Sequence, residues 1–115
     1  MMNDDIIHTD SYDFDERTQK GVVLVFFYSE YCVHSRGLEP ILEEIADEYY
    51  DNIRVVALDI EQSPDIASRF KIESTPVVII LRNGKISDRI EGANPPSTYA
   101  EYIDEVLLEY QKENR

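Results

Sequence analysis

The sequence contains a single cysteine among its 115 residues, which limits both its covalent structure and its chemistry. One cysteine cannot close an intramolecular disulfide, so the fold must be stabilised by its core, as in most cytosolic proteins. Any redox role of this thiol must therefore involve a second molecule. His8 has no partner at metal-ligand spacing, and His34 with Cys32 supplies too few ligands for zinc. We expect neither a metal ion nor another cofactor.

Basic residues are also scarce, with 11 lysines and arginines against 24 acidic residues and a net charge of -13. This acidic excess would repel the phosphates of nucleic acids and anionic lipid surfaces, so we expect neither as a partner. No apolar run approaches the length that spans a membrane, and residues 1–15 lack the basic start and apolar stretch of a secretory signal. These absences predict a cytoplasmic protein.

Repeats, linkers and low-complexity segments are absent as well, and the length suits one compact domain. We expect a single domain over residues 1–115, acting as a monomer. Within it, the run Val22–Tyr28 is β-branched and aromatic without polar alternation, which is typical of a strand covered on both faces. This strand is therefore predicted at the centre of a sheet.

The second half of the sequence supplies the strands that would pair with it. Arg54–Ile60 has the pattern of another buried strand, parallel to the first because a helix connects them. Val77–Leu81 and Lys85–Ile90 flank the dipeptide Asn83-Gly84, a strong signal for a hairpin turn, so these two strands should be antiparallel. The sequence thus predicts an α/β domain with a mixed sheet.

Two longer helices are predicted from apolar residues that recur every three or four positions. The first follows Cys32, and its apolar stripe consists of Leu38, Ile41, Leu42, Ile45, Ala46 and Tyr49. The second is the last helix of the chain, which we expect Thr98 to open with Glu101 as a capping box. Its stripe consists of Tyr99, Tyr102, Ile103, Val106, Leu107 and Tyr110.

Three shorter elements are also predicted. Ser63-Pro64 supplies an N-cap and a first-turn proline for a short helix through Phe70. Near the start of the chain, Asp5–His8 could form an edge strand. Tyr12 together with Phe14 would anchor a short helix after it.

The position of Cys32, after a central strand and before a helix, gives its sulfur a chemical context. At a helix N-terminus the macrodipole and the free backbone N–H groups favour a thiolate, which lowers the thiol pKa and makes it a better nucleophile. Protonated His34 could add to this effect. The alternative is a buried, unreactive cysteine, the usual reading of a lone cysteine without such context.

Several motifs resemble those of the thioredoxin family. The segment Tyr31–Ser35, with Pro40 after it, resembles the active-site segment in which an aromatic residue precedes Cys-x-x-Cys and a proline follows in the same helix. Ser74-Thr75-Pro76 resembles the family's cis-proline loop, and Gly92 its groove glycine. The resemblance covers nearly the whole chain. It implies a thioredoxin-like α/β fold, a central mixed five-stranded sheet flanked by four helices.

The resemblance also implies which residues form the site. Cys32 would be the nucleophile, and Ser35 could donate a hydrogen bond to its thiolate. The substrate-binding positions would be Tyr31, Val33, His34, Thr75, Pro76 and Gly92. The implied partners are protein disulfides or thiols, with glutathione or a reductant resembling thioredoxin reductase to recycle the protein.

Three positions depart from the family's pattern, and they bear on which reactions remain. Ser35 stands where a dithiol enzyme has its second cysteine, so it cannot attack a mixed disulfide. Phe26 and Ala57 stand where dithiol members usually carry a buried aspartate and its lysine partner. We therefore predict a thiol–disulfide exchange protein, a candidate oxidoreductase, whose single cysteine forms mixed disulfides that an external thiol resolves. The alternatives are a redox-inactive protein-binding module and an engineered Cys-to-Ser trap.

Overall fold

The computed structural model describes residues 6–113 as five strands and four helices in one layered arrangement. The strands are β1 (Ile6–His8), β2 (Val22–Tyr28), β3 (Arg54–Asp59), β4 (Val77–Arg82) and β5 (Lys85–Glu91). The helices are α1 (Phe14–Thr18), α2 (Val33–Glu48), α3 (Pro64–Arg69) and α4 (Pro96–Glu113). The predicted mixed five-stranded sheet with four helices is confirmed. Among residues 6–113, no helix is long and apolar enough to cross a membrane.

The sheet has the strand order β1-β3-β2-β4-β5, with β2 at its centre as predicted. β1 and β2 both run parallel to β3, whereas β4 runs antiparallel to β2 and to β5. Asn83 and Gly84, at φ values of 50° and 83°, form the turn between β4 and β5. Because both residues have positive φ, the turn has the geometry that Asn-Gly favours between antiparallel strands.

Successive side chains of β2 enter two separate cores because strand residues alternate between the faces of a sheet. Leu24 and Phe26 pack with α2 and α4, while Val25 and Phe27 pack with α1 and α3 on the opposite face. All residues of β2 before Tyr28 are buried, and Tyr28 is partly exposed. Burial on both faces of the sheet explains why the sequence of β2 is apolar without alternation. Cys32 follows this strand, so the site is carried by a strand whose first six residues are all buried.

The last helix begins two residues earlier than the sequence suggested. α4 starts at Pro96, and the Thr98 N–H already donates to the Pro95 carbonyl at 3.0 Å, so the predicted capping box of Thr98 and Glu101 is wrong. Proline is well suited to a first turn, where its missing N–H would have no partner in any case. The stripe prediction is wrong at Tyr102, which is 37% exposed, while Tyr99, Ile103 and Val106 are buried.

The start of the described chain contains a second correction. Phe14 is buried and its ring meets that of Phe70 edge-on at 5.6 Å, but Tyr12 is 99% exposed and anchors nothing. α1 is therefore held by one aromatic residue. β1 confirms the edge strand from Ile6 onward, while Asp5 of the predicted range lies outside the described residues. At the start of α3, Ser63 occupies the N-cap position without a side-chain capping bond.

Candidate active site

Cys32 lies at the N-terminus of the 16-residue helix α2, as predicted from its place after β2. It is the N-cap residue, with an extended backbone at φ -100° and ψ 114°. Its N–H donates to the Ser29 carbonyl at 3.0 Å, and its carbonyl accepts the Arg36 N–H at 3.2 Å. This tight turn directs the first N–H groups of the helix towards the sulfur, since they have no carbonyl partner within the helix.

The loop before Cys32 is held by a side-chain network that sequence analysis missed. The Ser29 hydroxyl donates to the Glu61 carboxylate at 3.2 Å and accepts the Tyr31 N–H at 3.3 Å. The Glu61 N–H in turn donates to Asp59 at 2.9 Å. Ser29 and Glu61 are 32 positions apart, and only the parallel pairing of β2 with β3 brings them together.

The proline loop before β4 lies directly against the sulfur. The Thr75–Pro76 peptide bond is cis, as the sequence motif implied. Cys32 Sγ lies 3.3 Å from the Thr75 carbonyl oxygen, which accepts the thiol proton. Thr75 itself stands just outside the β-ladder, because the pairing of β4 with its neighbours begins at Val77.

The surroundings lower the pKa of the Cys32 thiol from 9.0 to about 7. The largest cause is the Ser35 hydroxyl, followed by the Thr75 hydroxyl and the backbone N–H of Ser35. The His34 backbone N–H contributes a smaller lowering, and partial desolvation of the sulfur opposes all of them. Each of these donors stabilises the thiolate more than the neutral thiol, so the site increases the nucleophile available at neutral pH.

Ser35 itself is buried, at 1% exposure, in the first turn of α2. Its hydroxyl oxygen has no hydrogen-bond partner in the structure, and the Cys32 sulfur is not in hydrogen-bond geometry with it. The same hydroxyl is the donor that most favours ionisation of the sulfur. A thiolate is a stronger acceptor than a neutral thiol, so ionisation of Cys32 favours a hydrogen bond from this buried group.

Gly92 closes the other side of the proline loop. Its N–H donates to the Pro76 carbonyl at 2.9 Å. Its φ of 77° is a backbone conformation that favours glycine. A Cβ at this position would meet no atom within 4 Å, so the preference comes from the backbone and not from lack of space. The buried Tyr99 hydroxyl donates to the Gly92 carbonyl at 3.3 Å and accepts the Asn94 N–H at 3.2 Å. Sequence analysis placed Tyr99 in the core but did not reveal that its hydroxyl also braces this loop.

The side chains next to Cys32 in the sequence are exposed. Tyr31 is 86% exposed and Val33 69% exposed, and His34 is also exposed beside them. Tyr31 therefore does not pack into the core, which leaves its ring available for contact with another molecule. Cys32 is partly exposed at the centre of this surface. Of the predicted site residues in the second half of the chain, Thr75 contacts the Cys32 sulfur, and Gly92 is joined to the same loop by its hydrogen bond to Pro76.

Beneath Ser35 lies a cleft of about 610 Å³ between the sheet and α2. Phe26 and Ala57 line it, so neither an aspartate nor a lysine is present at these two positions. Charged residues, including Glu30, Arg36 and Glu39, also line it. Across residues 6–113 no cluster of three His, Cys, Asp or Glu residues could hold a metal ion.

Comparison with known proteins adds an independent finding. A family model described as Thioredoxin matches residues 5–105 of this chain. Over 99 residues the chain is 35% identical to a thioredoxin of Staphylococcus haemolyticus (strain JCSC1435), which covers 86% of this chain and 94% of the relative. It is 30% identical over 102 residues to thioredoxins of Staphylococcus aureus strains Mu50 and MW2, covering 89% of this chain and 98% of each relative.

Proposed function

This chain belongs to the thioredoxin family, whose chemistry is thiol–disulfide exchange, and we propose that it performs this exchange with Cys32 as its only thiol. The family's partners are protein thiols or disulfides and the reductants that act on them. The observation that carries the proposal is the position of the Cys32 sulfur. It is partly exposed at the start of α2, 3.3 Å from the Thr75 carbonyl, and its pKa is about 7.

In the first step, the Cys32 thiolate attacks one sulfur of a substrate disulfide. A new S–S bond joins Cys32 to the substrate, and the second substrate sulfur leaves as a thiolate that takes a proton from solvent. A pKa near 7 supports this step, because about half of the thiol is ionised at neutral pH.

The second step requires a thiol from outside the chain. Ser35 occupies the position from which a dithiol enzyme would resolve the mixed disulfide, and its hydroxyl cannot form an S–S bond. The apolar side chains of Phe26 and Ala57 agree with this assignment, because no second thiol is present beneath Cys32 to be deprotonated. The external thiol would be glutathione, a protein thiol or a reductant resembling thioredoxin reductase.

The substrate would lie across the proline loop. The backbone of Thr75 is outside the β-ladder and is positioned to pair with an extended substrate segment, as in strand addition. Tyr31 and Val33 would cover the apolar part of the substrate, and Gly92 would leave room for its backbone. We place this activity in the cytoplasm as part of the proposal, because a reducing compartment keeps a lone thiol free.

The proposal is tested by reacting the protein with a peptide disulfide and following the adducts by mass spectrometry. The wild-type chain should accumulate a mixed disulfide at Cys32, and a small external thiol should release the substrate as its thiol. Ser35→Cys is the matched variant: it should release the substrate without an external thiol and form a disulfide within the chain. Normal multiple-turnover reduction of insulin by wild type without an external resolving thiol would contradict the mechanism.

Cys32→Ala separates this proposal from binding without chemistry. If Cys32 is the nucleophile, the variant should form no covalent adduct and lose capture of substrates under denaturing conditions. If the chain instead binds partners only through the surface of Tyr31, Val33 and the proline loop, Cys32→Ala should retain nearly all the affinity of wild type. Fluorescence titration with a labelled peptide distinguishes the two results.

A further inference from the structure

The buried Ser35 hydroxyl has no hydrogen-bond partner in the structure. Among the described residues, it is the one buried side-chain nitrogen or oxygen atom without a hydrogen-bond partner. Leaving such a group unpaired costs free energy, so a buried donor of this kind points to an acceptor that forms in another chemical state of the site. The Cys32 sulfur is the group beside it that can change state, because Cys32 is the N-cap of α2 and Ser35 lies in the first turn of the same helix. The hydroxyl is also the largest of the causes that lower the pKa of this thiol.

The site also contains an acceptor for a proton carried by the sulfur. The Thr75 carbonyl oxygen lies 3.3 Å from Sγ and accepts the thiol proton. On other sides, the backbone N–H groups of His34 and Ser35 are directed towards the sulfur. Donors and an acceptor therefore surround the sulfur, and its remaining side is open to solvent. An S–OH group has the same requirements, because its oxygen accepts and its proton donates.

We infer that hydroperoxides are a further substrate class of this site, and that the Ser35 hydroxyl and the Thr75 carbonyl stabilise the resulting sulfenic acid on Cys32. The thiolate attacks one peroxide oxygen, an S–O bond forms and the O–O bond breaks. The sulfur is oxidised by two electrons. The peroxide is reduced to an alcohol or water, whose oxygen takes a proton from solvent.

The lone cysteine determines what happens next. A sulfenic acid usually condenses with a nearby thiol, but this chain has no second cysteine to supply one. The oxidised state therefore persists until an external thiol attacks it, releasing water and leaving a mixed disulfide that a second thiol reduces. Only this return to the thiol rests on the proposed function, because oxidation by peroxide needs no exchange partner.

The inference is tested with hydrogen peroxide, which is added to the folded wild-type protein and then removed with catalase. Intact-mass measurement should find one added oxygen atom, and dimedone should label Cys32. The lifetime of the labelled species should be at least about tenfold longer than in Ser35→Ala, as expected from losing a hydrogen bond to a strongly polar or charged group. Because the lifetime is measured after peroxide removal, slower oxidation of the variant does not affect it.

Ser63→Ala is the matched control, since Ser63 is as buried as Ser35 but precedes α3, which packs on the opposite face of the sheet. This control should behave like wild type. If Ser35→Ala does not fold, wild type in urea provides the comparison, and the unfolded chain should lose the long lifetime. In Ser35→Cys, the dimedone-reactive species should be replaced by an intrachain disulfide with loss of water.

Equal lifetimes in folded wild type, Ser35→Ala and the unfolded chain would overturn the inference, as would the absence of a one-oxygen product. Mixed-disulfide formation with a peptide disulfide is measured on the same preparations. Disulfide exchange without a stable sulfenic acid would leave the proposed function standing and remove the inference. A stable sulfenic acid without disulfide exchange would support oxidation by peroxide and contradict the proposed function.

Discussion

Replacing Ser35 with alanine should raise the pKa of the Cys32 thiol. The Ser35 hydroxyl is the largest of the causes that lower this pKa from 9.0 to about 7. Removing one methylene-bound oxygen deletes that donor and leaves the other donors, the Thr75 hydroxyl and the N–H groups of residues 34 and 35, in place. The substitution therefore isolates the hydroxyl from the helix N-terminus.

The expected change is about one pKa unit, because the sulfur is partly exposed and solvent screens part of the effect. At pH 7 the ionised fraction would fall from about one half to about one tenth. The remaining thiolate would be more basic and about threefold more nucleophilic, since reactivity rises with pKa with a slope of about 0.4–0.5. The pH profile of Ser35→Ala should therefore cross that of wild type.

The assay is the rate of reaction with a neutral aromatic disulfide, measured from pH 5 to pH 10 on folded protein. Wild type should have a midpoint near pH 7, whereas Ser35→Ala should have a midpoint near pH 8 and a higher plateau. Ser63→Ala, with its equally buried serine away from the sulfur, should reproduce the wild-type curve. Circular dichroism of each variant verifies that the fold is retained.

An unchanged midpoint in a folded Ser35→Ala protein would refute this reasoning. The low thiol pKa would then come from the backbone N–H groups of α2 and the Thr75 hydroxyl alone. A midpoint near 9 in wild type would be a stronger contradiction, because it would mean that neither the helix terminus nor the hydroxyl favours the thiolate.

Four further predictions concern stability. Tyr99→Phe should lower the free energy of unfolding, measured in urea, by about 1 kcal/mol, because the hydroxyl that hydrogen-bonds to Gly92 is lost while the buried ring remains. Gly84→Ala should destabilise by about 1 kcal/mol since its φ is 83°, whereas Gly37→Ala inside α2, where a Cβ has open space, should stabilise by up to about 1 kcal/mol. The free energy of unfolding of wild type, relative to that of Cys32→Ser, should rise between about pH 7 and pH 9 and stay constant at higher pH, because the thiol pKa is lower in the folded state than in the unfolded state. Urea titrations across this pH range would detect the rise.

Much of the fold could be predicted because local patterns and tertiary packing agree. The uninterrupted apolar run of β2 predicted a central strand, and Asn83-Gly84 predicted the antiparallel pair that follows. The same agreement placed Cys32 at a helix N-terminus. Each of these signals depends on residues that are adjacent in the sequence, where propensity and periodicity act.

The details that sequence analysis missed depend on contacts between distant residues. Ser29 meets Glu61 only through the register of two parallel strands, and the Tyr99 hydroxyl reaches Gly92 only after α4 has docked on the sheet. Tyr12 illustrates the converse error. Its aromatic ring and its position next to a short helix predicted that it would pack into the core, but only Phe14 of the two residues is buried. Aromatic character alone does not determine which of two neighbouring side chains becomes buried.

The three departures of this chain from the dithiol pattern can be understood as one physical change. A hydroxyl at Ser35 does not ionise near neutral pH, so a proton acceptor beneath it would have no proton to take. A buried carboxylate at the position of Phe26 would then carry a desolvation cost without a proton to accept, and once the carboxylate is absent a lysine at Ala57 would have no charge to pair with. Apolar side chains at both positions remove that cost and pack the core under Cys32. On this argument, Ser35→Cys should restore a dithiol but resolve mixed disulfides slowly, because the buried proton acceptor is still missing; single-turnover kinetics against pH would reveal a new cysteine with a pKa at or above its ordinary value.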